Sequence, residues 1–362
     1  MTRRVNFEGL LVALPAWLAA RVLVGVGWLV ARLLSDGDGS HALSRGLLAW
    51  DGDWYQSLLV HGYDGVPLEG VRFFPGYVLL GRIADFVLPG GPAVGLVVVA
   101  NGGTLVAMVL LYRLVVIESA DLGLARRSVW ALALFPPAFV LVWAYAEGPF
   151  LALVIGCLLL LRRERWWSAA LLAAAAAVVR PTGALLMVPA LCAVVKPSSE
   201  ERSRCGRIAA VVSGPIAAAG YVTWASLHFG EPFAPLTVQS QLRGDPVDPA
   251  SRLWDGLGEL FGPDALGDGL HILAVAALVV LLVVLLRTWP LRYGAFASAC
   301  LLVALTAENL NSLERYSLNG VPIVLGVATI AGHRRFGGWV PVASGFALVA
   351  LSAAAWSGNY VP

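Results

Sequence analysis

Charge is scarce in this sequence. Asp, Glu, Lys and Arg make up 13% of the 362 residues, against roughly a quarter in soluble domains, and that scarcity excludes a soluble globular enzyme. Lysine is nearly absent, Lys196 being the single one among 25 basic residues. Cysteine is sparse too: Cys157, Cys192 and Cys300 fall in apolar runs and Cys205 in a basic loop, without Cys-x-x-Cys spacing. Neither a structural disulfide nor a thiolate metal site is expected from that pattern. His41, His61, His228, His271 and His333 lack the i, i+4 spacing of a helical zinc site. No Gly-rich Walker or dinucleotide loop follows a strand, and a net charge of +2 gives no overall field that would draw nucleic acid.

What the chain does have is apolar length. Hydrophobic residues reach 59% and the mean hydropathy is +0.77. Apolar runs occupy 10–34, 74–88, 93–117, 128–145, 149–161, 166–180, 183–195, 208–227, 270–286, 293–306, 321–331 and 339–356. A helical span needs about 20 residues to cross a core of ~30 Å, whereas a membrane β-barrel would show short segments of alternating polarity. The expectation is an all-α, multi-pass transmembrane bundle of about eleven or twelve helices in one domain over 1–362. The run at 10–34, preceded by Arg3 and Arg4, exceeds the apolar core of a cleavable signal peptide and is expected to stay as a signal anchor and first span.

Short basic loops carry Arg126 and Arg127; Arg162, Arg163 and Arg165; Lys196, Arg202, Arg204 and Arg207; Arg287 and Arg292; and Arg334 and Arg335. The positive-inside rule puts these in the cytoplasm. Two long polar segments face the other way. The first, 35–73, holds Asp36, Asp38, Asp51, Asp53, Asp64 and Glu69; the second, 228–268, holds Glu231, Asp245, Asp248, Asp255, Glu259, Asp264 and Asp268. Connections of this length are usually functional. Counting spans forward from Arg3 and backward from Arg334 puts the first segment on opposite sides, so one helix must fail to cross. The run 74–88, short and holding Arg82 and Asp85, is the best suspect.

In the first segment, Ala49-Trp50-Asp51-Gly52-Asp53-Trp54-Tyr55 sets two carboxylates among aromatics just beyond the first span. A carboxyl near apolar surface holds its proton more tightly and can take one from an attacking hydroxyl. The aromatic faces of Trp50, Trp54 and Tyr55 suit a sugar ring; an interfacial aromatic belt with solvated acids is the other reading. Glu147 lies among apolar residues, where an ionisable group is either functional or paired with an arginine such as Arg180 or Arg315. Arg21, inside the first span, fits either an internal partner for an acid or a residue facing a cavity and has no evident role beyond that. By the alternation of loops, the first-segment acids, Glu147, Arg180 and Arg315 converge on one membrane face. Guanidinium groups there suit phosphate oxygens, although an arginine at the boundary also snorkels to headgroups.

The motifs carry a family resemblance. Trp50-Asp51 with Tyr55, then Gly62-Tyr63, then Phe73-Phe74-Pro75-Gly76-Tyr77 resembles the opening signature of the PIG-V type mannosyltransferases, which include GPI mannosyltransferase II and bacterial relatives. Phe135-Pro136-Pro137 leading to Tyr145-Ala146-Glu147-Gly148-Pro149-Phe150, then Arg180-Pro181-Thr182-Gly183, then Glu314-Arg315-Tyr316 follow in the family's order. The family's Tyr-Thr-Glu-Ser reads Tyr145-Ala146-Glu147-Gly148 here, and a frequent His near Asp53 is Trp54.

The resemblance implies the GT-C architecture, with an inverting transfer, most often of mannose, from a polyprenyl phosphate sugar donor to a lipid or glycan acceptor on the outer face of the cell membrane. It implies Asp51 or Asp53 as the catalytic base, with Asp51 matching the motif. It assigns Trp50, Trp54, Tyr55, Glu147, Arg180, Arg315 and Tyr316 to the substrates. No cofactor is required; a divalent cation, Mg or Mn, at Asp51 and Asp53 is compatible with the donor set. Membrane lipids are the expected surroundings. Two other classes fit the composition: a multi-pass transporter or lipid-linked sugar flippase, whose internal repeats are not evident here, and an inactive scaffold.

Overall fold

The computed structural model describes residues 2–35, 39–194, 204–244, 246–261 and 268–360. Lys196, Arg202, Asp36, Asp38, Asp245 and Asp264 lie outside these. Among the described residues the chain is helical, and its one β feature is a bridge between Pro246 and Ala307. Every apolar run named above overlaps a helix, and the run 128–145 does so only in its first part. Among the described residues, five helices are long and apolar enough to cross a membrane: Phe7–Leu34, Gly91–Ser119, Arg204–Phe229, His271–Thr288 and Trp339–Trp356. The shorter apolar helices Trp166–Val179, Pro181–Val194 and Leu291–Leu305 pack among them. Helix Pro75–Val87 has 13 residues, about 20 Å at 1.5 Å per residue, which is less than the hydrocarbon thickness.

The first helix shows what solvent the fold is built for. Ala13, Ala16, Ala20, Val24 and Ala31 are buried against the bundle, while Leu11, Leu18, Val22, Leu29 and Leu33 point outward and are exposed. Small residues inside and large apolar ones outside reverse the pattern of a water-soluble helix. The same pattern suits lipid, where close backbone approach holds helices together.

The buried centre is helix Glu147–Arg162, packed between Gly91–Ser119 and Trp166–Val179. Its contact with the former leaves no room for a side chain. A Cβ on Gly148 would stand 2.1 Å from the Ala100 carbonyl oxygen, and one on Gly103 would stand 2.5 Å from the Pro149 nitrogen. Gly148, where the resembled family carries a larger residue, is therefore demanded by packing in this chain.

The expected helix over 128–145 is corrected by the structure. Helix Leu122–Ala133 stops, and a 3₁₀ turn, Pro136–Leu141, takes over. Pro136 and Pro137 both lack the N–H a helix needs, and a proline pushes the residue before it out of the α region. The carbonyls released by this break are satisfied by buried polar side chains, as apolar surroundings require. Asn101 Nδ2 donates to Val142 O at 2.8 Å, Thr104 Oγ1 to Leu141 O at 3.0 Å, and Arg21 Nη2 to Leu141 O at 3.0 Å. Arg21 also donates to Asn101 Oδ1 at 2.7 and 2.9 Å, so the arginine without an evident role is a strut beneath the broken segment.

The two long polar segments are themselves folded. The first contains helices His41–Arg45 and Asp51–His61, the second Ala234–Arg243 and Pro249–Glu259. Two of the basic loops meet at the other end of helix Glu147–Arg162, where Glu118 Oε1 accepts from Tyr293 Oη at 2.7 Å, lies 3.1 Å from Arg162 Nε and pairs with Arg292.

Gly148→Ser is expected to cost about 1–3 kcal/mol through overpacking, read as a lower unfolding temperature of the purified protein in detergent. Gly102→Ala, whose Cβ would meet nothing within 4 Å, serves as the control and should leave that temperature unchanged or slightly raised.

Candidate active site

Helix Asp51–His61 begins abruptly. Trp50 takes φ of 56°, a left-handed conformation that a bulky residue seldom adopts without a tertiary reason. Its indole N–H donates to Ala355 O at 3.0 Å, pinning the first polar segment to the end of the last long helix. This turn delivers Asp51 as the first residue of its helix, and the Asp51 N–H donates to Tyr145 Oη at 3.3 Å.

From Asp51 a chain of charges runs inward. Its carboxylate pairs with Arg315, Arg315 Nε lies 3.8 Å from Glu147 Oε1, and the same oxygen accepts from Arg180 Nη1 at 2.5 Å. Glu147, Arg180 and Arg315 are 0%, 9% and 4% exposed. Glu147 is thus paired with both arginines and sits behind the cavity that they border.

The local chain explains the arginines' aim. Arg180 is the extended residue between helix Trp166–Val179 and the 3₁₀ turn Pro181–Leu186. Pro181 forces that extension, and Gly183 presses the turn back so closely that a Cβ would lie 2.3 Å from the Ala177 nitrogen. Arg315 sits in the short helix Leu313–Ser317, which opens at Ser312 with φ of 65°. The neighbouring Glu314 is held from two sides, by His271 Nδ1 at 2.7 Å and by the Tyr360 hydroxyl, which donates at 2.9 Å.

These groups border a cavity of about 350 Å³ whose walls include Asp51, Tyr55, Arg180, Arg315 and Tyr316 together with the apolar side chains of Phe74, Val179, Leu236 and Val303. Tyr55 is buried edge-on between Phe73 and Tyr77, with ring centroids 4.9 and 4.6 Å away. Tyr316 lies among three guanidinium groups, those of Arg243, Arg315 and Arg180, at 4.6, 5.0 and 5.9 Å from its ring centre. Burial would push its phenol up, but Arg315, Arg243 and Arg180 pull it below its ordinary value. Burial likewise opposes the charge on Arg315, which Asp51, Tyr316 and Glu147 together hold well above its usual value. The cavity is a pocket of positive potential with apolar walls.

Of the residues singled out in the sequence, Asp51, Tyr55, Glu147, Arg180, Arg315 and Tyr316 are brought together here. Asp53 is not: its carboxylate pairs with Arg45, whose Nη2 also donates to Gln56 Oε1 at 2.7 Å. Trp50 is committed to Ala355, and Trp54 stacks on Phe73 at 5.8 Å, so it backs the cavity wall from outside. Two charged wall residues escaped the sequence reading. Arg72 stood in view beside the Phe73-Phe74-Pro75 motif, whereas Arg243 lies in a segment that is mostly acidic and carried no signal. Among the described residues, no group of three or more His, Cys, Asp or Glu side chains clusters as metal ligands would.

No family model matches the chain, and no curated protein matches it. Among solved structures it is similar to the archaeal oligosaccharyltransferase AglB from Archaeoglobus fulgidus in complex with an inhibitory peptide and a dolichol-phosphate, at 13% identity over 94% of this chain and 56% of that one, with a TM-score of 0.46. It is also similar to an Archaeoglobus fulgidus oligosaccharyltransferase complexed with Zn and sulfate, at 15% identity over 94% and 53% of the two chains, with a TM-score of 0.34. The chain spans a little over half the length of either protein. At these values neither likeness decides the fold family or the activity.

Glu147→Met should destabilise the protein by about 3–5 kcal/mol, because it leaves the buried Arg180 without a carboxylate, and Arg180→Met should cost less, because Arg315 still stands 3.8 Å from Glu147. The double variant should then recover part of that loss. Thermal unfolding in detergent checks this, and additive losses would mean that the two side chains are independent.

Proposed function

We propose that the chain is an integral-membrane inverting glycosyltransferase of the GT-C type, related to the PIG-V type mannosyltransferases, that moves a sugar, by that resemblance mannose, from a polyprenyl phosphate donor to a hydroxyl of a lipid or glycan. The observation that carries this reading is the meeting of Asp51 and Arg315, 264 residues apart in sequence, with Arg180 on one cavity whose walls are otherwise largely apolar.

In this reading Asp51 takes the proton of the acceptor hydroxyl. The acceptor oxygen bonds to the anomeric carbon on the side opposite the phosphate, and the bond from that carbon to the phosphate oxygen breaks. The electron pair leaves with the phosphate, and its growing charge faces Arg180 and Arg315, preset donors in surroundings of low polarity. Tyr55 and Tyr316 contribute aromatic wall on the sugar's side of the cavity. Glu147 acts on the arginines rather than on the substrate, fixing their direction. Asp53, turned to Arg45, serves at most the outer rim. No cofactor is needed for these steps, and a Mg or Mn ion at Asp51 would have to compete with Arg315 for the carboxylate.

The proposed side of the membrane rests on the positive-inside rule applied to the two ends of one helix. Glu147 opens helix Glu147–Arg162 at the cavity, while Arg162 closes it among Glu118 and Arg292. With the basic end in the cytoplasm, the cavity opens to the extracytoplasmic side of the cell membrane.

The test is incubation of the purified protein in detergent with radiolabelled polyprenyl phosphate mannose and a membrane lipid extract, followed by identification of the labelled product. Asp51→Asn should lower transfer by about 10²–10⁴-fold while the protein still purifies folded, and Asp53→Asn should retain most of it. Full activity in Asp51→Asn would refute the assignment of the base. Substrate-dependent translocation in vesicles without any product would favour a flippase instead.

A further inference from the structure

Among the described residues, the charges around the cavity do not balance. Four guanidinium groups line it, those of Arg72, Arg180, Arg243 and Arg315, and two carboxylates answer them, Asp51 and Glu147. Arg180 and Arg315 take both. Arg243 donates through Nη2 to the carbonyls of Asn309 and Asn311, at 3.5 and 3.2 Å, and lies over the Tyr316 ring. Arg72 lies 4.6 Å from the Phe73 ring centre and 5.8 Å from that of Trp54, and its buried Nε has no hydrogen-bond partner. Neither Arg72 nor Arg243 has a carboxylate partner among the described residues. Two positive charges on a largely apolar wall call for a ligand that brings two negative ones.

We infer that Arg72 and Arg243, reaching in from the two long polar segments, make this cavity selective for the dianionic monoester phosphate of a lipid alcohol over the singly charged phosphodiester. The lowered phenol of Tyr316, between Arg243, Arg315 and Arg180, reports the same excess. The inference deepens the transfer reading and takes its biological sense from it. A sugar-bearing lipid phosphate is a diester with one charge, and it gains the second as the sugar departs, so a site built for the dianion favours the transition state and the departing group over the donor. A phosphate monoester carries close to two charges at neutral pH. The apolar side chains of Phe74, Val179, Leu236 and Val303 on the same wall suit the first carbons of its chain.

The test is equilibrium binding to the full-length protein in a nonionic detergent, with decyl monophosphate, its methyl diester and inorganic phosphate as probes. The wild type should bind the monoester about ten- to a hundredfold more tightly than the diester. Arg72→Gln and Arg243→Gln should each cut monoester affinity and shrink that ratio, with diester affinity little changed, while Arg243→Lys keeps most of the preference. Equal wild-type affinities for monoester and diester overturn the proposal without recourse to any variant, as does a ratio that survives both glutamine substitutions in monodisperse protein. Inorganic phosphate bound as tightly as decyl monophosphate upholds the preference for a dianion and overturns its lipid origin. Failure of the transfer reading appears elsewhere, as normal monoester binding by a protein that forms no product.

Discussion

One buried carboxylate organises the functional end of this protein. Glu147 Oε1 accepts from Arg180 and lies within ion-pair distance of Arg315, and Arg315 extends the chain of charges to Asp51 at the cavity wall. Removing such groups from water costs several kcal/mol per ion before their attraction is counted, and well-packed apolar residues often serve stability as well or better. A sequence so poor in charge has nonetheless placed four ionised side chains together here. Their value lies in geometry: two long, flexible arginines are held in fixed directions by an anion that no solvent can reach.

The rest of the bundle is arranged so that Glu147 can stand where it does. Pro136 and Pro137 end a helix early, and the irregular stretch after them brings the chain around so that a new helix can start at Glu147. Arg21, Asn101 and Thr104 satisfy the carbonyls that this break exposes. The Ala144 N–H donates to Leu47 O at 2.8 Å and ties the same stretch to the first polar segment. Gly148 lets the helix press against the Ala100 carbonyl, which sets the depth of the carboxylate. The break, the strut and the glycine are three parts of one arrangement that sets where Glu147 stands relative to the arginines.

Much of this was legible in the sequence because membrane solvent imposes length and polarity on each helix separately. The apolar runs, the short helix at Pro75–Val87 and the convergence of Asp51, Glu147, Arg180 and Arg315 all follow from such local rules applied in order along the chain. What escaped depends on direction rather than on position. Asp51 and Asp53 look equivalent as a string, but both lie on helix Asp51–His61, where residues two apart do not share a face. One therefore meets Arg315 and the other Arg45. Arg243 was hidden for a different reason: it reaches the cavity only because helix Ala234–Arg243 folds onto the 3₁₀ turn Leu68–Arg72, a pairing between two loops that no periodicity records.

The pairing of Asp51 with Arg315 gives the proposed transfer an order. A carboxylate oxygen held by a guanidinium is not free to receive the proton of an acceptor hydroxyl, and Arg315 is also the group that a donor phosphate would seek. A phosphate arriving at the cavity competes with Asp51 for the same donors, and whatever share of Arg315 it takes is released from the carboxylate. In the proposed transfer the base would thereby be freed when the donor is in place, and an acceptor arriving first would meet an occupied one. Glu147 makes the exchange feasible, because Arg315 keeps a second, buried anion beside its Nε and so is never stripped of all counter-charge as it turns from Asp51 to the phosphate.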